Sequence, residues 1–256
     1  MASATQNSPF LKQLTSSDRR KRDQAVDSLR TYLRGRTRFE EVELLKLWKG
    51  LFYCMWMQDK PRNQQRLAVD LAGLVDVLSH EAFIPFLDAF WKTMAREWKG
   101  IDALRMDKFL FLIRQYLAAS FRQLAKQQWE GAERVEQYMD VLRATPLNAR
   151  DHKIPNGLRY HVIDIYVDEL DKVDVDREGH MPLELLLRPL KALGKESPTK
   201  AVRLRVKETL EDDERLRNWN SKEDGEEEDH KRQDGPETAG QGADEDGDEE
   251  WGGIDE

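Results

Sequence analysis

The stretch Glu40-Glu41-Val42-Glu43-Leu44-Leu45-Lys46-Leu47-Trp48-Lys49-Gly50-Leu51-Phe52-Tyr53-Cys54-Met55-Trp56-Met57 decides the fold class. Leu44, Leu45, Trp48, Leu51, Phe52 and Met55 recur at three- and four-residue spacing, which puts them on one stripe of a helix. The last two turns are apolar nearly all round, so this helix needs neighbours on several sides and belongs to the interior of a helical protein. Gln58-Asp59-Lys60-Pro61 ends it, because proline has no amide proton and suits only the first turn of the next helix.

Working outward, the same period predicts helices over about 62–78, 82–98, 102–125, 129–144 and 157–173, with stripes such as Leu67-Leu71, Phe86-Phe90, Phe109-Ile113 and Tyr138-Leu142. Pro85 is expected in a first turn, Gly100 at a helix end and Asn156 as an N-cap. No run alternates as a half-buried strand does, so the chain is read as all-α. Helix starts near 40, 82 and 129 each open a pair joined by a short turn, a period of about 42 to 47 residues that fits a HEAT-like helical-hairpin array, an α-solenoid. Residues 17–33 form a basic helix with Ala25, Val26, Leu29 and Leu33 on its apolar side, read as the second half of a first, capping pair. Toward the other end, Leu183–Leu193 is a helix that Pro189 should kink or split, and 199–219 loses its stripe after Leu210, where the fold is expected to fray.

The net charge of -8 over 256 residues conceals two opposite halves. Residues 221–256 hold 16 Asp and Glu against 3 Lys and Arg, leaving 38 basic and 33 acidic residues in 1–220. The expected organisation is a flexible N-terminus (1–9), a helical-repeat domain (10–220) and a disordered acidic tail (221–256), too poor in apolar side chains to offset the entropy of ordering. The single cysteine, Cys54, excludes an internal disulfide and reads as a small buried hydrophobe. The longest wholly apolar run, Leu51–Met57, is far short of the roughly 20 residues of a membrane helix. A soluble, intracellular protein with no membrane contact is expected.

Enzyme motifs fail one by one. His80-Glu81 opens like a zinc-protease helix, but position 84, where a second histidine must follow one turn on, is Ile. Gly194-Lys195-Glu196 lacks the Ser or Thr of a phosphate loop, and the glycine needed five residues earlier is Pro189. Asp174, Asp176, Glu178 and Gly179 fit the start of a calcium loop, but its twelfth position is Leu185 where a bidentate Glu is required. The five histidines are scattered, and His161 reads as a packed, hydrogen-bonded residue. No catalytic residue, metal site, cofactor or small-molecule substrate is assigned.

Cationic clusters offer more. Arg19, Arg20, Lys21, Arg22, Arg34, Arg36 and Arg38 fall in an N-terminal segment, 1–38, of net +6, and Lys92, Arg96, Lys99, Arg105 and Lys108 crowd the turn between the third and fourth long helices. Both are candidate RNA- or partner-binding patches, and the plain alternative is a solvated helix face. Trp91 and Trp98 interleave with the second, although aromatics at helical spacing are more often core than base-stacking platforms.

Three strings are more specific than their periodicity: Leu47 to Pro61; Phe90-Trp91 through Arg96-Glu97-Trp98 to Arg105-Met106-Asp107-Lys108-Phe109; and Ile154-Pro155-Asn156-Gly157-Leu158-Arg159-Tyr160-His161 with Asp164-Ile165-Tyr166 and Asp168-Glu169-Leu170. Together they closely resemble the nucleolar ribosomal RNA-processing protein 1 family over roughly 10–215. The resemblance implies a non-enzymatic assembly factor of early large-subunit ribosome precursors, needed for processing of the internal transcribed spacers and located in the nucleus and nucleolus. It also implies partners among other assembly factors, including Brix-domain and WD-repeat proteins, and pre-ribosomal RNA. It supplies no nuclease residues to carry over. An RNA-cleaving or RNA-modifying enzyme, and an RNA-free nuclear adaptor, stand as the alternatives.

Overall fold

A computed structural model of the chain describes residues 18–126, 131–177 and 179–217 together with 13, 16, 129 and 219. The flexible N-terminus and the disordered tail expected from the sequence lie outside these residues. Among the described residues ten α-helices follow one another: α1 (Arg19–Arg34), α2 (Glu41–Trp56), α3 (Pro61–Ala72), α4 (His80–Glu97), α5 (Ala103–Ala125), α6 (Ala132–Ala144), α7 (Asn156–Asp171), α8 (Leu183–Glu196), α9 (Lys200–Lys207) and α10 (Glu214–Arg217). Gly73–Val77 and Trp98–Gly100 are 3-10 turns, and Glu208–Asp212 is a π-turn. Among the described residues there is no strand.

The packing has a simple rule. Helices two places apart lie against each other, α2 on α4 on α6 on α8, and α3 on α5 on α7 on α9, giving two layers built from four stacked hairpins. This is the expected helical-hairpin array, and α1 packs on the 3-10 turn after α3, where the second half of a preceding pair belongs. Contacts across the layers are aromatic. Trp48 of α2 is fully buried, its ring 4.8 Å from Phe90, 5.1 Å from Phe86 and 4.9 Å from Tyr116, and its indole Nε1 donates to the Phe86 carbonyl at 3.0 Å. Tyr116 of α5 donates its hydroxyl to the Leu71 carbonyl of α3, and Tyr166 of α7 donates to the Leu186 carbonyl of α8 at 2.6 Å. These two phenols thus spend their only polar atom on tying one helix to another, which removes the cost of burying it.

The structure moves several sequence expectations. Ser79 caps α4, its hydroxyl accepting from the Ala82 amide, so Pro85 sits at the sixth helical position and not in the first turn. It is tolerated because it lies on the exposed side, where water can reach the carbonyl its missing amide leaves free. Asn156 begins α7 and is not its cap; Pro155 holds that place. Pro189 does not split α8, which runs unbroken to Glu196. The described residues beyond Leu210, 211–217 and 219, are held by specific contacts. Arg215 donates to Asp168 Oδ1 at 3.0 Å, Trp219 Nε1 donates to Asp174 Oδ2 at 2.6 Å, and the Arg177 guanidinium lies 3.5 Å from the Trp219 ring centroid. Polar and cation–aromatic contacts, which leave no apolar period, help the buried Trp219 ring hold the last turns against α7 and the loop that follows it.

Gly194 shows how close the last hairpin is. A Cβ added there would lie 2.9 Å from Val206 Cγ1, so α8 and α9 approach nearer than any larger residue permits. Gly194→Ala is expected to destabilise the protein by about 1 to 3 kcal/mol through overpacking. Adding Val206→Ala should recover most of that in urea unfolding, and a double variant no more stable than the single would show that the clash is not the cause.

Candidate interaction surface at the hairpin turns

In each hairpin the first-layer helix ends, and the second-layer helix begins, at a turn: 57–60, 98–102, 145–155 and 197–199. Side chains join these turns along one edge of the array. Lys108 of α5 is buried and donates its ammonium to the Trp56 and Gln58 carbonyls at 2.6 and 2.8 Å, reaching the turn of the preceding hairpin. Arg159 of α7, 5% exposed, donates to the carbonyls of Asn148, Asp151 and Ile154 and to the Asn156 side-chain oxygen. Arg203 of α9 donates to the Ser197 and Pro198 carbonyls at 2.8 and 3.0 Å. A turn leaves backbone carbonyls without amide partners, and here a cation from a second-layer helix serves as donor at three of the four turns. Burial holds the ionisation of Lys108 and Arg159 below their ordinary ranges.

The cations singled out in the sequence separate under this geometry. Of the N-terminal group, Arg22 is buried and donates to the Ser16 carbonyl at 2.7 Å and to Asn63 Oδ1, fastening α1 to α3. Arg36 is held by Glu43 and the Tyr32 hydroxyl and lies 4.7 Å over the Phe39 ring. Arg20 and Lys21 are exposed at the start of a helix about 24 Å long, and Arg34 and Arg38 are exposed at and beyond its other end. The side chain of Arg19 is not described. Of the second group, Lys92 lies between Glu41 and Asp88 at 2.6 and 2.7 Å, Arg96 pairs with Glu97 at 2.7 Å, and Arg105 is held by Asp102 with its guanidinium 4.8 Å over the Trp56 ring. Lys99, exposed like Arg96, lies beside another turn, 149–156. Trp91 and Trp98 are core residues, 0% and 8% exposed.

Sequence reasoning missed Arg150, His152 and Arg159. The charged quartet Arg150-Asp151-His152-Lys153 was the available signal, but nothing local says that this loop meets two other turns.

A profile described as nucleolar protein, Nop52, matches residues 5–254. The chain belongs to the Nop52 family. Curated relatives agree: the chain is 47% identical over 170 residues to the human protein named Ribosomal RNA processing protein 1 homolog B, 64% of this chain and 22% of that one. It is 45% identical over 161 residues to human homolog A, 60% of this chain and 34% of that one, and 30% identical over 186 residues to the Drosophila melanogaster homolog, 70% of this chain and 27% of that one. The chain therefore spans between about a fifth and a third of the length of these relatives.

The Trp-rich strings that resemble the family now have a structural meaning. Leu47 to Pro61 forms most of α2 and the first turn, whose carbonyls Lys108 of the second string satisfies. In the third, Gly157 packs on Trp98 of the second: an added Cβ would lie 3.1 Å from the indole Nε1. His161 faces inward with Nε2 2.8 Å from the Leu110 carbonyl, a contact that requires the Nε2–H tautomer. Burial lowers its pKa, opposed by the Leu110 carbonyl and Asp164 and aided by Arg114. The folded state therefore favours the neutral ring, and the unfolded chain takes up the proton first as pH falls below about 6.5. Stability contributed by His161 is present above that pH and is lost between it and the lower folded-state value. His161→Gln, which keeps a donor to Leu110, should flatten the melting profile between about pH 7 and 5 relative to the parent. An unchanged slope would remove His161 as the origin.

Two further arginines are engaged in ion pairs between helices. Arg114 donates to buried Glu169 at 2.6 Å and to Asp168 at 2.9 Å, and Arg205 grips Asp164 with two bonds. Cys54 is buried, which pushes its thiol up to about 12, so it is inert as a nucleophile at neutral pH. Among the described residues, no three His, Cys, Asp or Glu are grouped so as to hold a metal ion, and no helix is long and apolar enough to cross a membrane.

Proposed function

We propose that this chain is a non-enzymatic helical scaffold of the nucleolus, acting in early large-subunit ribosome precursors and required for processing of the internal transcribed spacers. The observation that carries the reading is the edge of hairpin turns. It is a long surface, fixed from beneath by buried cations, that presents side chains from four hairpins to whatever lies alongside it. Membership in a nucleolar family, and relatives named for ribosomal RNA processing, support the address and the pathway. Brix-domain and WD-repeat assembly factors are the protein partners in this reading, and pre-ribosomal RNA is met through exposed Lys and Arg. A spacer-containing RNA incubated with the purified chain and Mg2+ should remain intact. Turnover would replace the scaffold by a nuclease.

An RNA-free adaptor is the second reading, and one observation favours it. Met57, Tyr53 and Leu104 are 62%, 47% and 94% exposed around the first turn, where Arg105 lies over Trp56. Exposed large apolar side chains of this kind suit a protein partner. Crosslinking within an isolated precursor particle separates the two, since the scaffold reading requires crosslinks to RNA as well as to protein.

A further inference from the structure

Three turns distant in sequence meet around one cleft of about 410 Å³. Lys99 comes from the α4–α5 turn, Arg150, His152 and Asn156 from the α6–α7 turn, and Thr199 from the α8–α9 turn. Arg159 forms part of its wall, and all five of its hydrogen bonds go to neutral oxygens, so no direct carboxylate contact cancels its charge. Asp151 is the one acid in the lining, and its Oδ1 is occupied by the Lys153 backbone amide at 2.8 Å. Arg150 is 80% exposed and only loosely paired, 3.6 Å from Glu196, and Lys99 and His152 are exposed. α7 opens beside the cleft with no side chain capping its first amides.

We propose that this cleft binds the phosphodiester backbone of single-stranded RNA, gripped by Lys99, Arg150 and His152 over the fixed charge of Arg159. The inference rests on the RNA contact of the scaffold reading and gives it a location. Phosphate is favoured over an acidic protein segment because, among the described residues, none of the exposed large apolar side chains lines the cleft, so a protein would find no anchor there. Phosphate contacts need only positioned donors and positive potential, and both are present.

The test is fluorescence anisotropy of the full chain with a labelled single-stranded uridine 20-mer, across about 50 to 200 mM salt. Lys99→Glu with Arg150→Glu should weaken binding at least about tenfold at the low end and flatten the log–log salt slope by about 1.4, the share of two phosphate contacts on a single strand. Both side chains are exposed, so the melting temperature should match the parent's. Lys46→Glu with Lys49→Glu makes the same charge change on the exposed side of α2 and should have a much smaller effect. If the two double variants lose affinity equally, the interaction is a diffuse field and the cleft is no site. Parent-like binding by the cleft variant overturns the cleft alone, whereas a parent chain that binds no RNA also overturns the RNA contact of the scaffold reading. Tighter binding of a labelled 20-residue polyglutamate than of the RNA would assign the cleft to protein.

Discussion

Trp48→Ala is expected to destabilise the protein by about 3 to 5 kcal/mol, the usual result of emptying a fully buried aromatic site. The indole fills the space between Phe86 and Phe90 of α4 and Tyr116 of α5, so its loss opens a cavity shared by two hairpins. Three large rings with their own fixed neighbours cannot collapse into that volume, and the bond from Nε1 to the Phe86 carbonyl disappears with it. Trp48→Phe should recover part of the loss by refilling much of the cavity without the bond. Equilibrium urea unfolding followed by circular dichroism measures both. A Trp48→Ala protein with the parent's midpoint would mean that the two layers do not depend on this contact.

Arg159→Met is expected to cost about 3 kcal/mol, because it strips the carbonyls of Asn148, Asp151 and Ile154 of their donor while keeping an apolar stem of similar length. The damage should be local. Amides of the 145–155 turn should exchange with solvent faster by hydrogen-exchange mass spectrometry, while those of α4 and α5 keep the parent rate. Arg159→Lys retains the charge but not the planar fork, and should fall between the two. Uniformly faster exchange over every helix would show instead that the residue acts on global stability.

Helix identity was legible wherever burial imposed a period. The stripe from Leu44 to Met55 became α2, and Pro61 stands at the first position of α3, because an amide-free residue costs nothing there. The hairpin repeat could be read from its spacing alone. What the sequence hid was carried by polar atoms. The last turns lose their apolar stripe and are instead held by Arg215, Trp219 and Asp168, contacts with no sequence period. The cationic clusters show a related limit: closeness in sequence groups Lys92 of α4 with Lys108 of α5, yet one meets carboxylates and the other is buried against carbonyls. Neither fate depends on charge density. The cleft, built from Lys99, Arg150 and Thr199, could not be read locally because those residues share only tertiary neighbours.

Lys108 and Arg159 also divide the positive charge of this chain into two kinds with different responses to electrolyte. An exposed lysine carries an ion atmosphere that grows denser and contracts as salt is added, so its pull on a polyanion reaches less far, over a Debye length of about 8 Å at physiological strength. A cation sealed beneath a turn and bonded to carbonyls admits no such atmosphere at close range, and its field is attenuated far less. The hairpin edge therefore has a permanent electrostatic offset under a tunable surface layer. In a salt titration of the RNA contact proposed above, the exposed cations are expected to set the gradient and the sealed ones to contribute to the affinity that survives at high ionic strength.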